Sequence, residues 1–389
     1  MFRTAPLRRE FLTFGQPLIE QEEIDEVVDS LQKAWLGTGP KVARFENDFA
    51  AYKGVKAAVA VNSCTAALHL SMLAAGLEHG DEVITSSLTF CATVNAIIHA
   101  GATPVLADID PRTMNLSPAD VAARITPRTR AIVVVHFAGM PCDMDAFQAL
   151  AAKHQLKLIE DCAHAIETEY RGRKAGTFGD FGCFSFYATK NVCTGEGGMI
   201  LARDEADVKR LKMLALHGMS HDAWRRFSDA GFKHYQVMEC GFKYNMMDLQ
   251  AALGIHQLAR VDRSWRRRCE VARRYRDAFA DLPVTLPAEA SRGDRHGCHL
   301  FPILIDEDRT GIARDEFLEA MTARKLGVGV HYMSIAEHPF YREEFGWQPE
   351  DYPCARMVGR QTVSLPLSPR LRDEDVEDVV EAVREILDA

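Results

Sequence analysis

The sequence predicts an α/β protein with a large, mostly parallel sheet domain and a smaller α/β C-terminal domain. Apolar strand patterns alternate with helical patterns through the first two thirds of the chain, which is typical of a parallel sheet covered by helices. The composition changes at 282–288, where two prolines follow a long helical pattern. With 389 residues, 47% of them hydrophobic, the chain can form two cores. We expect a large domain at 14–258 and a small domain at 259–389 that starts with a long linking helix.

The elements follow from periodicity. Apolar residues at helical spacing predict helices over 24–31 and 42–52, on either side of the glycine-rich loop 34–40. A short strand at 57–61 enters a turn of small hydroxyl residues at 62–65, which opens a helix. The alternation continues with strands at 82–85, 104–109, 131–136, 156–159, 182–186 and 199–201, and with helices at 91–100, 119–125 and 147–154. Further helices are predicted from 247 to 279, at 312–325 and at the C-terminus, with a strand at 299–305.

Lys190 lies on the connection between two predicted strands, beside Phe184 and Phe186. Desolvation among aromatic side chains would favour its neutral amine, which can form a Schiff base with an aldehyde. The alternative is an ordinary surface lysine.

Glu160 and Asp161 follow a buried strand, where open α/β sheets place ligand-binding groups. A lysine and a carboxylate in this arrangement suit pyridoxal phosphate, whose ring nitrogen must stay protonated.

Three motifs carry a resemblance to a known family: Glu160-Asp-Cys-Ala-His164, Phe184-Ser-Phe-Tyr-Ala-Thr-Lys190 and Gly195-Glu-Gly-Gly198. Together they resemble the DegT/DnrJ/EryC1/StrS family of pyridoxal-phosphate sugar aminotransferases, from about residue 14 to the end of the chain. The resemblance implies a fold-type-I, aspartate aminotransferase-like structure in which Lys190 holds the cofactor as an internal aldimine. It also implies amino transfer from an amino acid, expected to be L-glutamate, to a keto-sugar, expected to be nucleotide-linked and aminated at C4.

The resemblance further assigns roles to individual residues. Lys190, Asp161 and His164 are the expected catalytic residues, with Asp161 at the ring nitrogen and His164 near the 3-oxygen. Phe90 is expected to stack on the ring, and the phosphate is expected to bind Cys64, Thr65, Ser185 and Asn245. A helix N-terminus at 62–65 supports the phosphate assignment, because its free N–H groups and dipole attract anions.

The resemblance also implies a homodimer with shared active sites, in which 217–226 and 241–245 cross to the other subunit and Asn245 binds the phosphate there. Its expected substrate-binding residues are Trp35, Thr38, Tyr187, His331, Tyr332 and His338, with Gly37 as a further candidate in the same loop. Structural alternatives stay open for several of them. The loop at 34–40 is equally explained as a helix stop and a turn, and the histidines as structural side chains.

Two other functions stay open from the sequence: a same-fold aminotransferase for a non-nucleotide ketone such as a cyclitol, and a cofactor-binding regulator without turnover. The intact Lys190 and Asp161 argue against the regulator. A net charge of -9 and a pI near 5.9 argue against nucleic acid as a partner. The first ten residues lack a signal-peptide core and no stretch approaches the roughly 20 apolar residues of a membrane span, so we expect a cytoplasmic protein. The ten cysteines show no metal-ligand spacing, and we expect no metal site.

Overall fold

A central seven-stranded sheet runs through the N-terminal two thirds of the computed structural model, which describes residues 8–220 and 235–387. The strands of the described part are β1 (Ala58–Val61), β2 (Glu82–Ser86), β3 (Thr103–Ala107), β4 (Thr129–Val135), β5 (Lys157–Asp161), β6 (Glu169–Tyr170), β7 (Arg173–Lys174), β8 (Phe181–Ser185), β9 (Gly198–Ala202), β10 (Phe301–Leu304) and β11 (Thr362–Leu365). The order in the large sheet is β1-β9-β8-β5-β4-β2-β3.

The large sheet is mostly parallel, as predicted. Strands β3, β2, β4, β5 and β8 pair in parallel, whereas β9 pairs antiparallel with both β8 and β1. Parallel pairing brings the carboxyl ends of β5 and β8 to the same edge of the sheet. Asp161 and Ser185 are the last residues of these two strands, so the fold places them side by side.

Helices cover the sheet and build most of the C-terminal part. The described helices are α1 (Gln21–Gln32), α2 (Pro40–Lys53), α3 (Cys64–Ala74), α4 (Cys91–His99), α5 (Pro118–Arg124), α6 (Met144–His154), α7 (Glu205–Leu214), α8 (Asp248–Ala259), α9 (Val261–Ala278), α10 (Glu307–Thr310), α11 (Arg314–Ala323), α12 (Pro339–Phe345), α13 (Pro353–Gln361) and α14 (Asp373–Leu387). Single 3₁₀ turns occur at Phe137–Gly139, Ile335–Glu337 and Pro349–Asp351. None of the described helices has the length and apolarity needed to cross a bilayer.

Helix α3 is buried almost throughout because it is apolar on most sides. Its residues Ala66, Leu68, Leu70 and Met72 pack between the sheet and α7. Its start is fixed by Ser63, whose hydroxyl oxygen accepts a hydrogen bond from the backbone N–H of Ala66 at 3.1 Å. This cap ends the turn that follows β1 and fixes the residue at which α3 begins. The N-terminus of α3 therefore faces the same edge of the sheet as Asp161 and Ser185.

The C-terminal part has its own apolar core between the antiparallel pair β10–β11 and helices α9, α11 and α14. Val271 and Tyr275 of α9 pack there with Phe317 of α11 and Val379 of α14. The start of the described chain joins this part, since the backbone N–H of Leu12 donates to Lys325 at 2.9 Å. The division of the chain between 258 and 259 remains our proposal.

The structure differs from the expected elements in two places that matter for the site. Strand β5 extends to Asp161, so the two acids end the strand rather than follow it. The helical pattern at 247–279 forms two helices, α8 and α9, separated at Arg260, whose φ and ψ are -107° and 11°.

Candidate active site

A cavity of about 490 Å³ opens at the carboxyl ends of β5 and β8. It is bordered by the turn before α3, the start of α4, the segment after β8 and residues 331–332 of the C-terminal part. Most of the residues expected from the sequence line it: Cys64, Thr65, Phe90, Asp161, His164, Ser185, Tyr187, Lys190, His331 and Tyr332. The fold thus collects in one place side chains that are up to 268 positions apart in the sequence, the difference between 332 and 64.

Lys190 lies in the connection from β8 to β9, where its backbone N–H donates to the carbonyl of Tyr187 at 2.8 Å and closes a turn. Burial of the ammonium group lowers the pKa of Lys190 to about 8, although the neighbouring Cys64 and Asp161 act to raise it. With a pKa of about 8, roughly a tenth of the Lys190 side chains are neutral at pH 7, far more than for an ordinary lysine. That form is the nucleophile expected from the sequence.

Asp161 is buried at the end of β5 and accepts two hydrogen bonds. The Thr93 hydroxyl donates to Oδ2 at 2.8 Å, and the Ala163 backbone N–H donates to Oδ1 at 3.1 Å. Burial raises the pKa of Asp161, while Ala163, Thr93 and Lys190 oppose the rise. A buried carboxylate with remaining acceptor capacity can stabilise a cation brought into the cavity.

His164 is a neutral histidine with a defined tautomer. Its Nδ1 accepts a hydrogen bond from the backbone N–H of Ala138 at 3.2 Å, so its proton is on Nε2. Nε2 therefore donates to the Tyr332 hydroxyl oxygen at 3.1 Å. Burial, with the nearby charge of Lys190, holds the pKa of His164 well below its usual range. The pair offers the cavity a neutral imidazole and a phenol that keeps its own proton.

The other side of the cavity is suited to an anion. Cys64 and Thr65 open α3, and the first N–H groups of a helix have no partner inside the helix. Strand β9 approaches this turn closely because residue 198 is glycine: a Cβ there would lie 2.5 Å from the Ser63 carbonyl oxygen. The cavity thus combines an amine, a buried carboxylate and a helix N-terminus. These groups match the aldehyde, ring nitrogen and phosphate of pyridoxal phosphate.

The structure also places near Lys190 a group of residues that the sequence analysis did not assign. The amide nitrogen of Asn191 donates to Glu167 at 2.7 Å and to the Gly297 carbonyl at 3.0 Å. His299 Nδ1 lies 2.9 Å from the Asn191 side-chain oxygen, which accepts its proton. The ring of His299 is 4.4 Å from that of His164, centroid to centroid. Asn191 thereby connects the lysine segment to the segment after β5 and to the segment before β10.

Glu167 is in turn ion-paired with Arg268 of α9, and both side chains are buried, 0% and 1% exposed. Buried charges of this kind are retained only when they are paired. No spacing in the sequence relates Glu167 to Arg268, which lie 101 positions apart. One indication in the sequence that Asn191 matters for the site is its position directly after Lys190.

Glu160 differs from its neighbour Asp161 because its carboxylate is saturated by protein donors. His136 Nε2 lies 3.1 Å from Oε2 and donates to it. Three backbone N–H groups donate to the two oxygens at 2.7 Å each, those of Gly176, Phe178 and Gly179. Glu160, His136 and Cys162 could surround a metal ion by distance alone, but the Glu160 oxygens are already occupied by these donors. We interpret Glu160 as a structural anchor of β5.

Four expected residues do not line this cavity. Trp35, Thr38 and Asn245 line a second cavity of about 900 Å³, where the Asn245 amide donates to the Thr38 hydroxyl at 2.7 Å. His338 lines a third cavity of about 470 Å³. Gly37 accepts a hydrogen bond from the backbone of Asp248 at 3.0 Å. Of the expected crossing segment 217–226, residues 221–226 lie outside the described residues.

Similarity to known proteins shows the family of this chain and the class of reaction that it catalyses. The sequence model of the DegT/DnrJ/EryC1/StrS aminotransferase family matches residues 17–384. The chain belongs to this family. A relative, the spore coat polysaccharide biosynthesis protein SpsC of Bacillus subtilis (strain 168), is 49% identical over 381 residues, which make up 98% of this chain and 98% of SpsC.

Solved structures agree with this assignment to the DegT/DnrJ/EryC1/StrS family. Spr1654 from Streptococcus pneumoniae, in its PLP form, has a TM-score of 0.90 at 29% identity, covering 97% of this chain and 99% of that chain. DesI in the presence of its TDP-sugar product has a TM-score of 0.86 at 34% identity, covering 97% and 93%. The expected fold class, enzyme class and cofactor are thereby confirmed. The protein is a pyridoxal-phosphate-dependent aminotransferase of the fold-type-I class that acts in sugar amino transfer.

Proposed function

We propose that this enzyme transfers the amino group of L-glutamate to C4 of a keto-sugar linked to a nucleoside diphosphate. The observation that carries the chemistry is the single cavity that holds Lys190, Asp161 and the His164–Tyr332 pair. DesI, with its TDP-sugar product, supports a nucleotide-linked acceptor. The C4 position is what the family resemblance implies, through His217-Gly218 and residues 241–245.

Lys190, Asp161 and the N-terminus of α3 would hold the cofactor, which would supply an aldehyde for an amine and a ring that accepts electrons. The neutral amine of Lys190 would remove the α-proton of the amino donor, hold it and then give it back, acting as base and then as acid. Its pKa of about 8 suits both roles near neutral pH. The second half-reaction, with the keto-sugar, uses the same steps in reverse.

The surrounding residues hold the reacting groups in place. Asp161 keeps the ring nitrogen protonated through a charge-assisted hydrogen bond. The Nε2–H of His164 is committed to Tyr332, and we assign this pair to the neighbourhood of the cofactor's 3-oxygen. Cys64, Thr65 and Ser185 bind the phosphate, and Phe90 stacks on the ring. Tyr187, His331 and Tyr332 border the acceptor sugar.

We also propose a homodimer in which Asn245 binds the phosphate in the other subunit's site. In one chain Asn245 lies outside the Lys190 cavity, and its buried side-chain oxygen has no hydrogen-bond partner among the described residues. Large apolar side chains are exposed nearby: Trp35 (50%), Met247 (43%) and Met238 (62%). We infer that the partner subunit covers these side chains. Trp35 and Thr38, which share the second cavity with Asn245, would reach the acceptor from that subunit.

The acceptor is tested with a panel of ketones and glutamate as donor. We expect amine formation, measured by mass spectrometry, with nucleotide-linked 4-keto-sugars. The corresponding 3-keto-sugars, free keto-sugars and keto-cyclitols should react much more slowly. Faster turnover of a free ketone than of every nucleotide-linked one would contradict the proposal, as would glutamine acting while glutamate does not.

A further inference from the structure

Two cysteines that lie outside the catalytic cavity are in direct contact. Cys269 is on α9 and Cys298 is in the segment before β10, and their sulfur atoms are 3.1 Å apart. Both side chains are partly exposed. All ten cysteines lie in the described part of the chain and are free thiols. A contact between two thiols that small molecules can reach is the starting geometry for a disulfide.

The backbone on both sides of this contact is held by hydrogen bonds. The backbone N–H of Cys298 donates to His296 Nδ1 at 2.8 Å, and the His296 carbonyl accepts a hydrogen bond from the indole of Trp265 on α9, also at 2.8 Å. The segment therefore stays against α9 whether or not the sulfurs bond. A disulfide has a sulfur separation of about 2.05 Å, so closing the bond needs a movement of about 1 Å.

The surroundings also distinguish the two thiols. The hydrogen bond from Cys298 lowers the pKa of Cys269, against the effect of burial and with help from the guanidinium of Arg268. The same hydrogen bond, with burial, raises the pKa of Cys298. Cys269 is therefore the thiol that becomes the attacking thiolate.

We propose that Cys269 and Cys298 form a modification site, at which a low-molecular-weight disulfide such as oxidised glutathione converts the two thiols into an intramolecular disulfide. The Cys269 thiolate attacks one sulfur of oxidised glutathione, and the first glutathione leaves as a thiol. Cys298 then loses its proton and attacks the Cys269 sulfur of the mixed disulfide, releasing the second glutathione. The protein loses two electrons and two protons, and oxidised glutathione gains them.

The modification site is connected to the catalytic cavity through the chain itself. The neighbours of Cys298 are Gly297, whose carbonyl accepts from the Asn191 amide, and His299, which donates to the Asn191 oxygen. Asn191 directly follows Lys190. The closure of about 1 Å is shared between the two cysteines, and the part that Cys298 takes up is passed to these contacts, because the protein interior is close-packed. The disulfide therefore changes the environment of the Lys190 amine.

The test uses the cofactor-loaded enzyme equilibrated with mixtures of oxidised and reduced glutathione. Peptide mass mapping should find a Cys269–Cys298 disulfide before any other cysteine is modified, and dithiothreitol should reverse it. Cys298→Ser should stop at a single glutathione on Cys269. Cys240→Ser is the matched control, since Cys240 is exposed and has no such contact, and it should form the disulfide as the wild type does.

The second measurement is the pH titration of the bound cofactor's absorbance band, which reports the protonation of the lysine–cofactor link. Oxidation should shift its midpoint by a few tenths of a pH unit in the wild type and in Cys240→Ser, but not in Cys298→Ser. Neither measurement uses a sugar substrate, so failure here is distinct from failure of the proposed function. The inference is overturned if other cysteines react first, if no intramolecular disulfide forms, or if the midpoint of the disulfide form does not change.

Discussion

Replacing Asp161 by asparagine removes a negative charge from the cavity and keeps the shape of the side chain. The surrounding hydrogen bonds can adapt to this change. The asparagine oxygen accepts from the Ala163 backbone N–H, while its amide donates to Thr93. The Thr93 hydroxyl then turns its own proton to Thr89, whose oxygen is 2.8 Å away. We therefore expect the Asp161→Asn protein to fold, with a free energy of unfolding within about 1 kcal/mol of the wild type.

The catalytic effect of Asp161→Asn should be much larger. A hydrogen bond to a charged group contributes about 1.5–3 kcal/mol, and losing this amount in the transition state slows a reaction about 10- to 150-fold. Both half-reactions should slow in this range, because both need the protonated ring nitrogen. Stopped-flow absorbance of the bound cofactor measures each half-reaction separately.

Thr93→Val is the matched control, because it removes only a neutral donor to Asp161. It should slow the half-reactions less than Asp161→Asn does. Half-reaction rates of Asp161→Asn close to those of the wild type, at full cofactor loading, would refute the assigned role of Asp161.

Three further predictions concern Lys190, the dimer and the buried ion pair. Cofactor-free enzyme should attach added pyridoxal phosphate at Lys190, mapped after borohydride reduction, with a rate that rises with pH through about 8 as the neutral amine forms. Lys53 should stay unlabelled although its pKa is also about 8, because its ammonium group donates to backbone carbonyls outside the Lys190 cavity. If the labelling rate of Lys190 instead rose with a midpoint near the pKa of an ordinary lysine, the argument that burial lowers its pKa would be wrong. Mixed Lys190→Ala and Asn245→Ala subunits, once exchange is confirmed, should regain activity with roughly a quarter of all sites intact, whereas the plain average of the two mutants would exclude a shared site. Arg268→Met should lower the free energy of unfolding in urea by about 3–5 kcal/mol, and adding Glu167→Gln should recover most of it; equal losses in the single and double variants would show that the pair is not coupled.

The parallel sheet and most of the site were predictable because local patterns carry them. Strand periodicity placed β5 and β8, and the residues at their carboxyl ends follow from the chain direction in a parallel sheet. The position of Lys190 and the small residues opening α3 are likewise local signals. The family resemblance then supplied the roles of these residues.

The contacts of Asn191 were not predictable, because they depend on packing between distant segments. Glu167, Arg268 and His299 come from three parts of the chain and meet only in the folded protein. Strand β11 was also missed, since its four residues follow α13 without a turn signal. The location of Asn245 outside the Lys190 cavity likewise follows from tertiary structure alone.

The cavity has a rigid floor and an adaptable rim, and this division favours directed evolution of new acceptors. Asp161 and Ser185 are buried at strand ends, where a larger side chain would disturb the sheet. Tyr187, which borders the acceptor sugar, is 47% exposed, so its side chain can be exchanged at little cost in stability. Libraries confined to the rim would therefore sample acceptor preference while the amino-transfer chemistry below stays intact.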